Sequence, residues 1–368
     1  MGLKAVDLFC GVGGLTCGVI KSGIDVVAGI DIDKTCEFAY TYNNKAEFIH
    51  KSVVDIDSTE INTLFGNDNV KILMGCAPCQ PFSRHQKNKQ NRNKHEKWGL
   101  LYSFLEHVRN IRPEIVSMEN VSELEHEKIF ADFVEGLENM GYNVTYVVVN
   151  AADYGVPQRR KRLLLLASLY GEISFMPATH INNHVTVRQV IGELPEIRAG
   201  SFDSTDPLHR APSLSELNLE RIRNSVEGGT WRDWPEHLLP ECYKKESGKS
   251  YSSVYGRMKW DDISPTLTTQ FNRYGTGRYG HPSQDRALSL REGAIIQSFP
   301  RDYQFIAPTN PNIDCAIARQ IGNAVPVRLG EIIGLSILEH LNLMKETNGE
   351  LYERLQNKDK SKDVGTIK

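Results

Sequence analysis

At 368 residues, with 40% apolar and 24% charged side chains, the chain has the composition of a folded protein with room for one large domain and a smaller one, which excludes disorder as the default. Its longest apolar runs, such as residues 163–167 and 147–149, fall far short of the roughly 18 residues that a membrane helix needs, so no span is expected. A net charge of -3 gives no overall basic excess, so any surface that tracks phosphates has to be local.

In chain order, residues 5–9 read as a strand, 15–22 as a helix, 25–30 as a strand, 34–43 as a helix, 70–74 as a strand and 100–110 as a helix. Residues 115–118 follow as a strand and 127–140 as a helix, with further strands at 144–149 and 163–166. Such alternation predicts an α/β fold with a parallel, doubly wound sheet. From about 180 to 310 the pattern dissolves into short segments rich in Pro, Gly, Ser, Trp and Arg, which predicts a second, irregular domain. Periodicity returns near 317–343, with a Gly322-Asn323 turn, Pro326 and an apolar helix over 329–343 that is expected to rejoin the first domain. The polar, lysine-rich end reads as a frayed helix or a tail. The expected boundaries are therefore 1–180, 181–311, 312–346 and 347–368.

Seven cysteines, an odd number scattered through a long chain, suit reduced thiols better than a disulfide framework. No signal-type apolar stretch precedes the first strand, and a cytoplasmic setting is expected.

The run Asp7-Leu8-Phe9-Cys10-Gly11-Val12-Gly13-Gly14-Leu15 puts glycines directly after a strand and before a helix, where backbone can approach a nucleotide-like ligand closely. It is not the dinucleotide fingerprint, because the sixth position from Gly11 is Thr16. Asp31, about twenty residues on, sits where an acid hydrogen-bonds ribose hydroxyls in such folds, and ribose without pyrophosphate points to S-adenosyl-L-methionine. Either feature alone has an ordinary reading: a plain turn, or a helix cap.

Gly75-Cys76-Ala77-Pro78-Cys79-Gln80-Pro81-Phe82-Ser83 follows the strand at 70–74 and places thiols in a proline-stiffened loop, an address suited to a nucleophile. Half a zinc site, a redox pair and plain burial compete with that reading. Zinc is disfavoured because no second close-spaced Cys or His pair is present, so no metal is expected. Glu119 ends the strand at 115–118 and, by topology, can share a crevice with the Cys79 loop and Asp31. Beyond Cys79, Arg84, Lys87, Lys89, Arg92, Lys94 and Lys97 face one acid, Glu96; a second basic knot is Arg159-Arg160-Lys161-Arg162.

These segments, with Met118-Glu119-Asn120-Val121, Gln158-Arg159-Arg160-Lys161-Arg162, Leu288-Ser289-Leu290-Arg291-Glu292 and Gln320-Ile321-Gly322-Asn323-Ala324-Val325, resemble in order and spacing the motif set of DNA (cytosine-5)-methyltransferases. The likeness covers nearly everything except about residues 175–255. It implies a Rossmann-like S-adenosylmethionine-dependent methyltransferase sheet with a smaller irregular target-recognition domain. It also implies double-stranded DNA as partner, action as a monomer with no obligate protein partner, base flipping, and work either in restriction-modification or as a stand-alone methylase. By resemblance Cys79 is the nucleophile that adds to carbon 6 of cytosine, Glu119 holds N3 and the exocyclic amine, and Arg162, assisted by Arg160, steadies O2. The positions that match cofactor contacts are Phe9, Gly11, Gly13, Gly14, Leu15, Asp31, Ile32, Asp55, Ile56, Pro78, Leu100, Asn323 and Val325. Ser83, Arg84, Lys87 and Lys89 would close over DNA, while Arg232, Arg257, Arg273 and Arg278 would read it from the variable region. The chain departs from many relatives at Ile32, often aromatic, and at Cys76-Ala77, which is not expected to alter the mechanism. A methyltransferase acting on transfer RNA and a thiol oxidoreductase using Cys76 and Cys79 stand as alternatives.

Overall fold

A computed structural model describes residues 2–67, 69–78, 94–245, 248, 254–307, 314–347 and 349, with backbone alone at 94–98 and 314. The first half alternates: β1 (Leu3–Leu8), α1 (Gly14–Ser22), β2 (Asp25–Asp31), α2 (Glu37–Asn44), β3 (Glu47–His50), α3 (Ser58–Leu64), β4 (Val70–Gly75), α4 (Lys94–Ile111), β5 (Ile115–Val121), α5 (Lys128–Asn139), β6 (Asn143–Asn150) and β7 (Lys161–Ser168). Near-continuous apolar runs cannot leave either sheet face in water, and β4, β5 and β7, which carry them, lie side by side in the interior of a seven-stranded sheet of order β3-β2-β1-β4-β5-β7-β6. Helices such as α5 turn only one stripe inward, burying Ile129, Phe130, Phe133 and Leu137. Together with Leu8, Ile30, Leu73, Val116, Phe104 and Leu165 these form the main core.

Strands β1 to β5 pair in parallel, but β7 runs antiparallel to β5. The sequence alternation predicted parallel strands throughout. It breaks here because no crossover helix separates β6 from β7, only a short link with a single 3-10 turn at Ala151–Tyr154, so the chain returns instead of crossing over. The sequence pattern gives no sign of β3 or α3, each too short to show a period; α3 is started by Asp57, whose carboxylate accepts the Thr59 N–H at 2.7 Å.

The chain divides into two compact units. One holds the described residues up to Val149, Lys161–Pro177 and the described residues from Val327; the other holds those of Asn150–Arg160 and Ala178–Pro326. These limits differ from the sequence boundaries, because the link before β7 and the stretch up to Pro326 group with the second unit.

In the second unit, short helices α6 (Val187–Ile191), α7 (Glu216–Arg223), α8 (Glu241–Lys244), α9 (Leu290–Ile296) and α10 (Asp314–Asn323) punctuate irregular chain. Ile222, Trp231, Trp234, Leu238 and Tyr274 supply a local core. Helix α11 (Val327–Thr347) belongs to the first unit and packs on α1 with almost no spacing: a Cβ at Gly18 would stand 2.2 Å from the Val327 carbonyl oxygen. Residues Cys315–Thr347 are long and apolar enough to cross a membrane, yet 67% of the apolar window is buried, as in a core helix.

Candidate active site

Two clusters form at the carboxyl ends of the first unit's strands. After β1 the chain turns through Phe9 (φ 59), Gly11 (φ 51) and Gly13 (φ 84) into α1, a left-handed sequence in which glycine removes the steric penalty. A Cβ at Gly11 would meet nothing within 4 Å, so the backbone there borders open space. Gly14 and Leu15 are buried in the first turn of α1, where helical N–H groups lack intrahelical acceptors.

Asp31, at the end of β2, accepts the Gly11 N–H on Oδ2 and the Asp33 N–H on Oδ1, each at 2.8 Å. Each carboxylate oxygen keeps further acceptor capacity for a hydroxyl. Burial pushes the Asp31 carboxyl up against those two donors. Beside it Ile32 is 72% exposed, with its carbonyl fixed 3.0 Å from His50 Nε2. Asp55 is exposed and Ile56 buried in the core, and both N–H groups donate to the Ser52 carbonyl at 3.0 and 3.1 Å. Pro78 is exposed and Leu100 half-buried. An open glycine turn, a ribose-suited carboxylate and an uncovered aliphatic surface fit a nucleoside such as the one in S-adenosylmethionine. Asp7, the residue that opens the glycine motif, accepts from Thr16 Oγ1 at 2.7 Å, and Tyr40 Oη lies 3.1 Å from the same hydroxyl, contacts that the motif does not signal. Burial pushes Asp7 up to about 7, opposed by the Thr16 hydroxyl.

The second cluster centres on Glu119, which is 2% exposed. Antiparallel pairing sets Val121 opposite Arg162 and Glu119 opposite Leu164, so Arg162 is the diagonal neighbour of Glu119 on one sheet face. Arg162 Nε lies 2.9 Å from Glu119 Oε1, but off the line of a hydrogen bond, so Oε1 stays without an aligned donor. On the other oxygen, Cys76 Sγ donates to Oε2 at 2.8 Å. The next residue, Asn120, donates Nδ2–H to the Ala77 carbonyl at 3.0 Å, tying the loop after β4 to the end of β5. The sequence singled out neither contact; the Cys-x-x-Cys spacing was the available signal for Cys76.

Of the remaining expected residues, Arg160 needs correction as a catalytic group. It lies in the second unit, 3% exposed, and donates to the carbonyls of Leu267 and Gly322 at 3.1 Å and Ala324 at 3.4 Å, so it acts as a clamp on loops. Arg257 likewise is no DNA contact as placed: it is 5% exposed and donates to the carbonyls of Ile222, Ser225, His281 and Gln284 while pairing with Asp285. Arg232, Arg273 and Arg278 are exposed, Arg232 over the Trp231 ring at 5.4 Å and Arg273 3.3 Å from Cys315 Sγ. Asn323 is the exposed last residue of α10, and Val325 is buried in the second unit. Cys79, Ser83, Arg84, Lys87 and Lys89 lie outside the described residues. Among those described, no group of three or more His, Cys, Asp or Glu residues could hold a metal ion.

The family described as C-5 cytosine-specific DNA methylase matches residues 3–339. The chain belongs to this family. It is 51% identical over 345 residues to the Type II methylase M.HgiDII of Herpetosiphon aurantiacus, covering 93% of this chain and 96% of that protein. It is 32% identical to the Type II methyltransferase M1.HphI of Haemophilus parahaemolyticus, over 92% and 87% of the two chains. A solved structure of a putative DNA modification methyltransferase encoded within an Escherichia coli prophage superposes with a TM-score of 0.71 over 93% of this chain and 100% of that one; at 23% identity it speaks for the fold. This family member transfers a methyl group from S-adenosylmethionine to carbon 5 of cytosine in DNA, and the match favours that activity over the transfer RNA and thiol-oxidoreductase alternatives.

Proposed function

We propose that the chain methylates a specific cytosine of double-stranded DNA through a covalent Cys79 adduct, on a base extruded from the duplex. The observation that carries this reading is the buried Glu119 carboxylate at the end of β5, with Arg162 on one oxygen and the loop that leads into Cys79 on the other. In the proposed roles, the Cys79 thiolate adds to carbon 6, giving carbon 5 carbanion character. Glu119 holds N3 and the exocyclic amine in the protonation state that favours this addition, and Arg162 steadies O2. When bound, S-adenosylmethionine supplies the electrophilic methyl group. Loss of the carbon 5 proton then expels Cys79 and restores the aromatic ring.

Phe9, Gly11, Gly13, Gly14, Leu15, Asp31, Ile32, Asp55, Ile56, Pro78, Leu100, Asn323 and Val325 are proposed for the methyl donor, with Asp31 on the ribose. Ser83, Arg84, Lys87, Lys89, Arg232, Arg273 and Arg278 are proposed for DNA, and the second unit for target recognition. Work within restriction-modification is supported by the Type II relatives, and action as a monomer in the cytoplasm completes the reading. The test is incubation of the protein with labelled S-adenosylmethionine and either duplex DNA or transfer RNA. Label is expected at carbon 5 of cytosine in DNA; label in RNA alone contradicts the reading.

A further inference from the structure

A carboxylate that must meet a base needs a fixed rotation about its last bond, and that torsion is soft unless a directional contact holds it. For Glu119 the two oxygens are held differently. Arg162 attracts Oε1 from 2.9 Å without hydrogen-bond alignment, whereas the Cys76 thiol donates to Oε2 at 2.8 Å. The thiol is itself anchored. Cys76 N–H donates to the Leu8 carbonyl at 3.3 Å, and the neighbouring Ala77 carbonyl accepts from Asn120 at 3.0 Å, so the sulfur is carried between the ends of β1 and β5.

We propose that Cys76 is a positioning residue for methyl transfer: its S–H fixes Glu119 through Oε2 and leaves Oε1, buried and without an aligned donor, for the N–H of the incoming cytosine. The inference rests on the role proposed for Glu119. Cys76 does not touch the base. It acts through the carboxylate, and because it stands three residues before the nucleophile it ties that carboxylate to the segment carrying Cys79. A thiol is well suited to this position because it is a small, weak donor that orients the carboxylate without competing strongly for its charge.

The test uses the full chain with a methylatable duplex and compares Cys76→Ala, Cys76→Val, Cys76→Ser and Glu119→Gln by single-turnover rate, DNA and S-adenosylmethionine affinity, and Tm. Both variants that lack a donor are expected to slow the chemical step about tenfold, the scale of one hydrogen bond to a charged group, while both affinities stay within about twofold of the parent. Cys76→Ser, which restores a donor, is expected to return to within about twofold of the parent rate. Cys76→Val is similar in size to the thiol, so a loss in Cys76→Ala that Cys76→Val does not share belongs to packing and overturns the inference. Parent rates in both donor-free variants, or a loss that Cys76→Ser does not restore, overturn it as well. Glu119→Gln separates the two layers: if it keeps the parent rate, the role of Glu119 itself fails; if it is inactive while both donor-free variants run at the parent rate, only the Cys76 inference fails.

Discussion

The two units use arginine for opposite purposes. In the first, strands satisfy each other's backbone groups, and Arg162 is left to face a carboxylate at the strand ends. In the second, Arg160 and Arg257 spend their N–H groups on carbonyls of irregular chain, such as those of Leu267 and His281, and on carbonyls in the last turns of α10 and α7, those of Gly322 and Ile222. A positive residue in a variable region is thus as readily a partner for buried backbone carbonyls as a contact for phosphate. Exposure, not charge, separates Arg232, Arg273 and Arg278 from Arg257.

Breaking one partner in each unit should sharpen the contrast. The largest effect is expected for Glu119→Gln, which should lower the methylation rate by about two to three orders of magnitude while far-ultraviolet circular dichroism stays native. Arg257→Ala should instead destabilise the protein by about 2 kcal/mol, the scale for leaving buried carbonyls without their donor, measured as a lowered unfolding midpoint. Near-parent stability for that variant would show that the loops do not depend on the clamp. Asp31→Asn should weaken S-adenosylmethionine binding about tenfold by calorimetry, as expected for the loss of a charge-assisted hydrogen bond.

A smaller signature should appear in the pH dependence of stability. With burial holding Asp7 at about 7 against an ordinary value of 3.8, the folded state keeps a proton that the unfolded chain gives up. Stability from this group is complete below 3.8 and is lost as pH rises toward 7, a slope that Asp7→Asn should remove from denaturation curves taken across that window. An unchanged slope in the variant would assign the dependence elsewhere. The smallest effect is expected for Arg232→Ala, which should leave Tm unchanged and weaken DNA binding uniformly across sequences, lowering the salt slope by about one.

The sheet was legible where strands are buried on both faces, as at 70–74, 115–118 and 163–166, because continuous apolar runs have few other homes. β3 was not, since only Phe48 of its four residues is buried and the run carries no period. The reversed direction of β7 depends on what joins it to β6, which residue type does not reveal. At the site, Glu119, Asp31 and the glycine turn could be read from strand ends followed by polar or small residues. In sequence Cys76 reads as a harmless departure, although its thiol meets Glu119. That contact comes from register between β4 and β5, which pairs Gly75 with Met118 and so brings the residues that follow each to the same edge.

The most direct measurement of the central claim is covalent capture on duplex DNA carrying 5-fluorocytosine at the target position, with the methyl donor present and the adduct mapped by peptide mass spectrometry. A stable complex joined through Cys79, lost in Cys79→Ser and kept in Cys76→Ser, is the expected result. No complex with the parent protein, or attachment through Cys76, would contradict the account.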